Sequence, residues 1–263
     1  MSKGQGRAQR ALVTGGRRGI GRAIAYALAD NGFDVAIVDL EHDPTAAETL
    51  DGIAQRGRNG AFVNGDVADL GQHERIVKEV RDALGPISCL VNNAGVQTRH
   101  RGDMLETPPE SFDRLMSINL RGAFFLTQRV TKTMRDDDTG DRTRPDRSVI
   151  FISSGNAVIA TAAQAEYCVS KAGVAMMSTL YALRLAEYGI AVHEIRPGII
   201  QTDMTKDVFD KYNGWVEAGG FPQARWGQPE DIGRTVAELA SGRMPYSTGH
   251  AFYVDGGMHI RRT

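Results

Sequence analysis

Two side chains able to share a proton stand four residues apart in "YCVSK", Tyr167 and Lys171. On a helix that spacing puts both on one face. A free tyrosine titrates near pKa ~10, too high to exchange protons readily at neutral pH. An ammonium beside it favours the phenolate and moves the hydroxyl toward working pH, which fits a general acid/base. A surface Tyr/Lys pair has the same spelling, so the pair needs context. "ISSG" (152–155) supplies some, ending a β-rich run thirteen to fifteen residues upstream of the tyrosine.

A second chemistry is written into "TGGRRGIG" (14–21), which follows the apolar run Ala11-Leu12-Val13 and opens a helical stretch. A glycine-rich turn between strand and helix is the dinucleotide-binding arrangement. Gly15 allows the sharp turn, Gly19 lets the backbone approach a pyrophosphate, and Gly21 permits tight helix-strand packing. The helix N-terminus adds free N–H groups and partial positive charge. Asp39 ends the second strand, 18 residues beyond Gly21. There its carboxylate accepts from both adenosine ribose hydroxyls and repels a 2′-phosphate. Arg17 and Arg18 pull the other way, because guanidinium suits phosphate. A direct ribose acceptor should outweigh a flexible, solvated cation, so NAD(H) is the expected cofactor and NADP(H) the alternative.

The elements that must position these residues alternate along the chain. Strand candidates are 11–13, 34–39, 61–64, 89–93, 148–153, 191–196 and 250–255; helical stretches are 21–32, 70–85, 110–134, 167–189 and 230–241. Several strands are nearly continuous apolar runs, as expected of parallel strands covered on both faces. The pattern predicts one α/β domain over residues 1–263: a Rossmann-type, doubly wound, seven-stranded and mostly parallel sheet with helices on both faces. Residues 1–9 read as a flexible tail. The stretch 135–147, with four arginines, five aspartates and no apolar residue, reads as a solvated loop. The long aromatic- and glycine-rich stretch 203–227 reads as a substrate lid.

The motifs, taken in order, resemble the short-chain dehydrogenase/reductase family. Thr14 to Gly21 is similar to its TGxxxGxG loop, "NNAG" (92–95) to its fourth-strand motif, and Tyr167/Lys171 to its YxxxK motif. "RPG" (196–198) with Thr202 resembles the loop that holds the nicotinamide carboxamide, and "YVDGG" (253–257) the C-terminal strand signature. The resemblance spans residues 10–258. It implies that Tyr167 is the general acid/base, that Lys171 lowers its pKa and holds the nicotinamide ribose, and that Ser154 bonds the substrate oxygen. Asn119 in "SINLRG" then helps hold a relay water, while Ser153 only supports the loop. Toward the cofactor it implies a backbone amide from Ile20, Asp66 and Val67 near the adenine, and Asn92, Asn93, Ala94 and Gly95 along the adenosine. Pro197, Gly198, Ile200 and Thr202 fall on the nicotinamide side. Hydride transfer between carbonyl and secondary alcohol is the implied reaction.

Within the family, "RWGQPEDI" and the other motifs look most like the 3-oxoacyl-acyl-carrier-protein reductase group, whose members usually use NADPH and lack an acid at the position of Asp39. That departure admits an NAD-linked sugar, polyol or other alcohol dehydrogenase. A non-catalytic dinucleotide sensor is the reading from outside the enzyme class, disfavoured because serine, tyrosine and lysine are all present. Arg99, His100 and Arg101 either face a polar or anionic substrate or form a solvated basic turn. Phe209, Tyr212, Trp215 and Phe221 either line a pocket or pack the long loop down.

The rest of the composition excludes other classes. A formal net charge of −1 gives a nucleic-acid binder no support. No run of eighteen apolar residues suggests a membrane span, and "MSKGQGRAQR" has no apolar core of a secretory signal. Cys89 and Cys168 make no disulfide framework and read as small buried side chains, with a cytoplasmic location expected. There is no H-E-x-x-H or Cys/His cluster, so no catalytic metal is expected. His193 reads as structural. The family resemblance implies a homotetramer built by helices 110–134 and 167–188 pairing with copies of themselves, with a small-molecule or acyl-thioester substrate.

Overall fold

The computed structural model describes residues 9–99, 101–137, 146–217 and 219–261. Its seven strands are β1 (Arg10–Thr14), β2 (Asp34–Asp39), β3 (Gly60–Asn64), β4 (Cys89–Asn92), β5 (Arg147–Ile152), β6 (Ile190–Pro197) and β7 (His250–Val254). They form one sheet in the order β3-β2-β1-β4-β5-β6-β7, and every neighbouring pair is parallel. β1 lies between β2 and β4, so the chain reverses its direction of travel across the sheet there. The crevice at that switch point is where a doubly wound sheet binds its ligand.

The helices are α1 (Gly19–Asp30), α2 (Pro44–Gln55), α3 (His73–Leu84), α4 (Pro109–Leu115), α5 (Ala123–Asp136), α6 (Ala165–Leu185), α7 (Phe209–Glu217) and α8 (Pro229–Ala240). The two-residue period of the strands divides the core. Leu12, Ala36, Val38, Leu90 and Val149 face a cluster with side chains of α3, α5 and α6. Ala11, Val13, Val35, Ile37 and Val91 face a second cluster with α1 and α8. Both faces are covered, which is why these strands read as unbroken apolar runs.

Three departures from the sequence reading bear on the site. Helix α2 was not foreseen, although Asp43 caps it by accepting from Ala46 N at 2.9 Å and Pro44 opens it. The stretch expected as one helix over 110–134 is two helices joined by a π-helical turn, Met116–Gly122, with Asn119 in its middle. Gly122 explains the join: a Cβ there would meet the Val67 carbonyl oxygen at 2.3 Å, so only glycine lets the helix pass. The charged stretch 135–147 is only partly a loop. α5 runs through Asp136, and Arg147 is buried in β5 with its guanidinium on the Met134 and Tyr188 carbonyls; residues 138–145 lie outside the described residues.

The stretch 203–227 carries a short 3₁₀ turn and α7. Val216, Phe221 and Trp226 form a small core of their own, with Ile199, Tyr212 and Met258 packed against it. Trp215 meets Phe221 edge-on at 5.3 Å between ring centroids and stays half exposed. These aromatics therefore hold the excursion together, and the Phe209 side chain lies outside the described residues.

Candidate active site

The glycine loop is a cradle shaped for something other than side chains. Gly15 and Gly19 hold φ of +64° and +56°, values that disfavour any residue with a Cβ. A Cβ on Gly21 would lie 2.0 Å from the Gly15 carbonyl oxygen. Helix α1 starts at Gly19 with no side-chain cap from Arg18, so the amides of Ile20 and Gly21 open toward the crevice. Such an uncapped N-terminus beside a glycine turn fits a pyrophosphate.

Thr14, to which the sequence reading gave no role of its own, fixes this loop against β4. Its hydroxyl accepts from Asn93 N at 3.1 Å and Ala94 N at 3.0 Å. The Asn93 amide in turn donates to the Thr14 and Gly15 carbonyls at 2.9 and 3.0 Å. Asn93 thus braces the cradle. Asn92, expected along the adenosine, instead faces the core: it is buried and donates to Thr127 Oγ1 at 2.8 Å. Alternation along β4 sends neighbours to opposite faces, which is the physical reason.

At the end of β2, Asp39 accepts from Arg17 N at 3.2 Å and Leu40 N at 2.9 Å. Arg17 turns its guanidinium onto carboxylates, with Nη1 at 2.5 Å from Asp43 and 3.2 Å from Glu41 and Nε at 3.8 Å from Asp39. One cation among three carboxylates leaves this corner negative. Arg18 is exposed and pairs with Asp203 at 3.6 Å. Asp66 tightens its own turn by accepting from Ala68 N at 2.8 Å, and the buried Val67 offers its carbonyl to His73 Nε2 at 2.8 Å.

The segment after β6 closes over the same crevice. Gly198 N donates to Val254 O at 3.0 Å, and a Cβ on Gly198 would strike Asp255 Cα at 2.7 Å. Pro197 is buried at the end of β6, and Ile200 bridges to Gly227. Thr202 Cγ2 lies 3.7 Å from where a Gly19 Cβ would sit, so the post-β6 loop rests on the glycine turn.

The candidate proton-transfer groups converge beside that crevice. A Cβ on Gly95 would lie 3.3 Å from Asn119 Oδ1 and 3.5 Å from Lys171 Nζ. Lys171 is buried and donates to Ile152 O at 3.1 Å, with its ammonium 5.6 Å from the Tyr167 ring centroid. Asn119 accepts from Val96 N at 2.8 Å and donates to Val96 O at 3.0 Å and Ser170 Oγ at 3.1 Å. The π turn around it disrupts the helical ladder, a recurrent device at functional sites. Ser154 Oγ accepts from Asn156 N at 3.1 Å and lies beside Tyr167. Ser153 faces the other way, donating to Glu194 Oε1 at 2.5 Å, as expected of a supporting residue.

The electrostatics differ from the simple expectation that lysine pulls the tyrosine down. Burial pushes the Tyr167 hydroxyl up to about 12, and the groups opposing this are Ser154, Gln97 and Arg101. Burial also lowers Lys171 to about 8, with Glu194 working against that loss of charge. Desolvation raises an acid and lowers a base, and here it is the largest influence on both. Glu194 was not foreseen; it sits buried on β6, bound to Ser153 and paired with Arg196 at 2.8 Å. His193 is buried and held down to about 4 by burial, and Cys89 is pushed up to about 12, so both are core residues.

A parallel sheet with a glycine-turn cradle at its switch point, and a buried Tyr/Lys pair beside it, defines a dinucleotide-dependent oxidoreductase. A family model described as Enoyl-(Acyl carrier protein) reductase matches residues 15–259. The 3-oxoacyl-[acyl-carrier-protein] reductase of Staphylococcus aureus is 34% identical over 250 residues, 95% of this chain and 98% of that protein. The L-rhamnose 1-dehydrogenase (NAD(P)(+)) of Azotobacter vinelandii is 34% identical over 253 residues, 95% of this chain and 96% of that one. A crystal structure of a 3-oxoacyl-[acyl-carrier protein] reductase from Brucella melitensis in complex with NAD superimposes with a TM-score of 0.92. It is 46% identical, covering 98% of this chain and 99% of that one. The chain belongs to the short-chain dehydrogenase/reductase family. It is an oxidoreductase acting on CH–OH and C=O groups with a nicotinamide dinucleotide.

Proposed function

We propose that the protein is an NAD(H)-preferring carbonyl reductase/secondary alcohol dehydrogenase, related to 3-oxoacyl reductases, in which Tyr167 is the proton donor and acceptor. The observation that supports it most is the convergence of Tyr167, Ser154, Lys171 and Asn119 beside the glycine cradle. When bound, the nicotinamide supplies or takes up the hydride. Gly15, Gly19, Ile20 and Gly21 would hold the pyrophosphate, Asp39 the adenosine ribose, and Asp66, Val67, Ala94 and Gly95 the adenine side. Pro197, Gly198, Ile200 and Thr202 would flank the carboxamide, and Lys171 the nicotinamide ribose.

A buried tyrosine near 12 stays protonated at neutral pH, as reduction requires. Ser154 orients the substrate oxygen toward it. Lys171, near 8, is still mostly charged at pH 7 and steadies the phenolate that remains after proton transfer. Asn119 holds the Val96 loop and Ser170 through its side-chain amide, beside the position a relay water would take.

The preference for NAD(H) is supported by the Asp39, Glu41 and Asp43 carboxylates that already occupy Arg17. A 2′-phosphate would meet net negative charge there. The name of the Azotobacter relative supports a second reading, sugar dehydrogenation, on the same catalytic groups. We place the enzyme in the cytoplasm as a homotetramer, with 203–227 covering the substrate. The test is a panel of carbonyls and alcohols assayed with NAD(H) and NADP(H) in parallel, repeated with Tyr167→Phe. Loss of turnover by at least about 100-fold with nucleotide binding intact supports Tyr167 as the proton donor; undiminished turnover overturns it.

A further inference from the structure

The segment following β4 is fastened to the start of α6, immediately before the tyrosine. Thr98 Oγ1 donates to the buried Glu166, and Ser111 Oγ donates to the same carboxylate at 3.1 Å. Gln164 is buried one turn before Tyr167, and with its amide assigned so that the oxygen faces donors it accepts from the Arg101 guanidinium, with Nη2 at 3.0 Å and Nε and Nη1 at 3.3 Å. Arg101 is therefore held by a neutral group, which fixes its position and leaves its charge uncompensated.

The surrounding charges do not balance it. Arg114 donates to the Gln97 carbonyl at 3.4 Å, and burial together with the nearby Arg99 holds its guanidinium below the usual arginine range. Among the described residues no carboxylate pairs with Arg99, Arg101 or Arg114, whereas Arg22, Arg58, Arg81, Arg196 and Arg225 each have one. The nearby acids are engaged: Glu166 with the two hydroxyls, and Asp103 with Leu105 N. Gln97 Oε1 is buried without a hydrogen-bond partner. A buried amide oxygen without a donor is unfavourable, so a hydroxyl supplied from outside would be well received. Val96 is bound to Asn119, Thr98 to Glu166 and Arg101 to Gln164, three residues before Tyr167, which places Gln97 and Arg101 beside the reacting centre and not on a remote surface.

We propose that Arg101, positioned by Gln164, binds a carboxylate of the substrate, with Gln97 accepting from a neighbouring substrate hydroxyl. The compound turned over is then a small free oxo acid or hydroxy acid, not a neutral polyol or a carrier-bound thioester. A guanidinium fork matches a carboxylate bidentately, and a charge-assisted pair at the site mouth sets binding and orientation. This rests on the reading of Tyr167 as proton donor, since the carboxylate is placed relative to that hydroxyl.

The complex of the enzyme with oxidised NAD, which cannot reduce a ketone, is titrated by tryptophan fluorescence with acetoacetate and 5-ketogluconate, their neutral counterparts methyl acetoacetate and fructose, and acetoacetyl-pantetheine. Wild type, Arg101→Gln and Arg101→Lys are compared. Arg101 is exposed, so the substitutions leave folding intact, which the thermal unfolding midpoint checks. At least one carboxylate should bind ten-fold or more tightly than its neutral counterpart. Arg101→Gln should remove that advantage and Arg101→Lys restore part of it. Equal binding of carboxylate and neutral compounds, an unchanged preference in Arg101→Gln, or tightest binding of the thioester overturns the proposal. Each of those results leaves the proton-donor reading standing, whereas turnover by Tyr167→Phe removes that reading on its own.

Discussion

Arg17 Nη1 lies 2.5 Å from Asp43 Oδ2, so the first arginine of the glycine loop is committed to the protein's own carboxylates. Asp39 and Glu41 complete the cluster. The pair "RR" in the loop therefore splits: one guanidinium organises an acidic corner, and the other stands in solvent next to Asp203. Asp39→Ala should lower kcat/KM for NAD by about ten-fold or more, the value of one or two hydrogen bonds to a charged acceptor. The value for NADP should rise, because one of the three repelling charges is gone. The ratio of kcat/KM for the two coenzymes is the measurement, and an unchanged ratio would sink the use made of Asp39.

The cradle itself predicts a sharp contrast between two glycines. Gly21→Ala puts a methyl carbon 2.0 Å from a backbone oxygen that has no flexible side chain to move aside. Loop and helix must separate, so NADH affinity should fall by ten-fold or more, with stability reduced by about 1–3 kcal/mol. Gly32→Ala is the control. It has φ of +90° but nothing within 4 Å of a Cβ, so it should cost stability alone and leave NADH affinity unchanged. Calorimetric titration of the two variants separates a cradle from an ordinary turn.

The fold was largely legible because parallel strands buried on both faces leave apolar runs that little else imitates. The placement of the glycine loop, Tyr167/Lys171 and Asp39 was legible because their signals are local: turn, spacing and strand end all lie within a few residues. What escaped depends on contacts distant in sequence. Thr14 acts through amides 79 and 80 residues away, and Glu194 acts on a lysine on another element. The direction in which Asn92 points follows from strand phase, and the family motif spells it the same either way. The π turn at Asn119 is set by Gly122 packing on Val67, a close approach that helical periodicity does not encode.

Burial of Lys171 gives stability a definite pH dependence. Its folded-state value, about 8, is below the ordinary 10.5, so the folded protein gives up this proton first as pH rises. Between those values the unfolded chain binds more protons, and stability due to this residue increases with pH. The stability of wild type relative to Lys171→Met should therefore rise by about 2–3 kcal/mol from pH 8 to pH 10. Taking the difference cancels the opposite contribution of Cys89 and Tyr167, whose raised values remove stability above about pH 9 and about pH 10 respectively. Urea unfolding at several pH values reads it, and a flat difference would mean that Lys171 is solvated. Glu194→Gln should push the lysine lower still, moving the corresponding limb of the kcat/KM profile to lower pH while leaving NADH affinity unaltered.

Helix α6 carries the face with the proposed catalytic residues inward and an apolar stripe outward. Ser170, Lys171, Val174, Met177, Ser178 and Tyr181 are buried, while Val169, Met176, Leu180 and Leu183 on the opposite side are exposed, Leu183 at 76%. Phe124 and Phe125 of α5 are likewise partly exposed. An apolar stripe of this length on the helix that holds Tyr167 is more than scattered surface hydrophobes require, and burying it against a copy would remove it from water. The proposed homotetramer predicts that wild type elutes with four times the chain mass by light scattering, and that Met176→Glu combined with Leu183→Glu yields dimers or monomers. Because the stripe and Tyr167 share one helix, kcat should fall on dissociation even though neither substituted side chain faces the crevice. A monomeric wild type, or a charged variant that keeps the tetramer mass, would move the interface elsewhere.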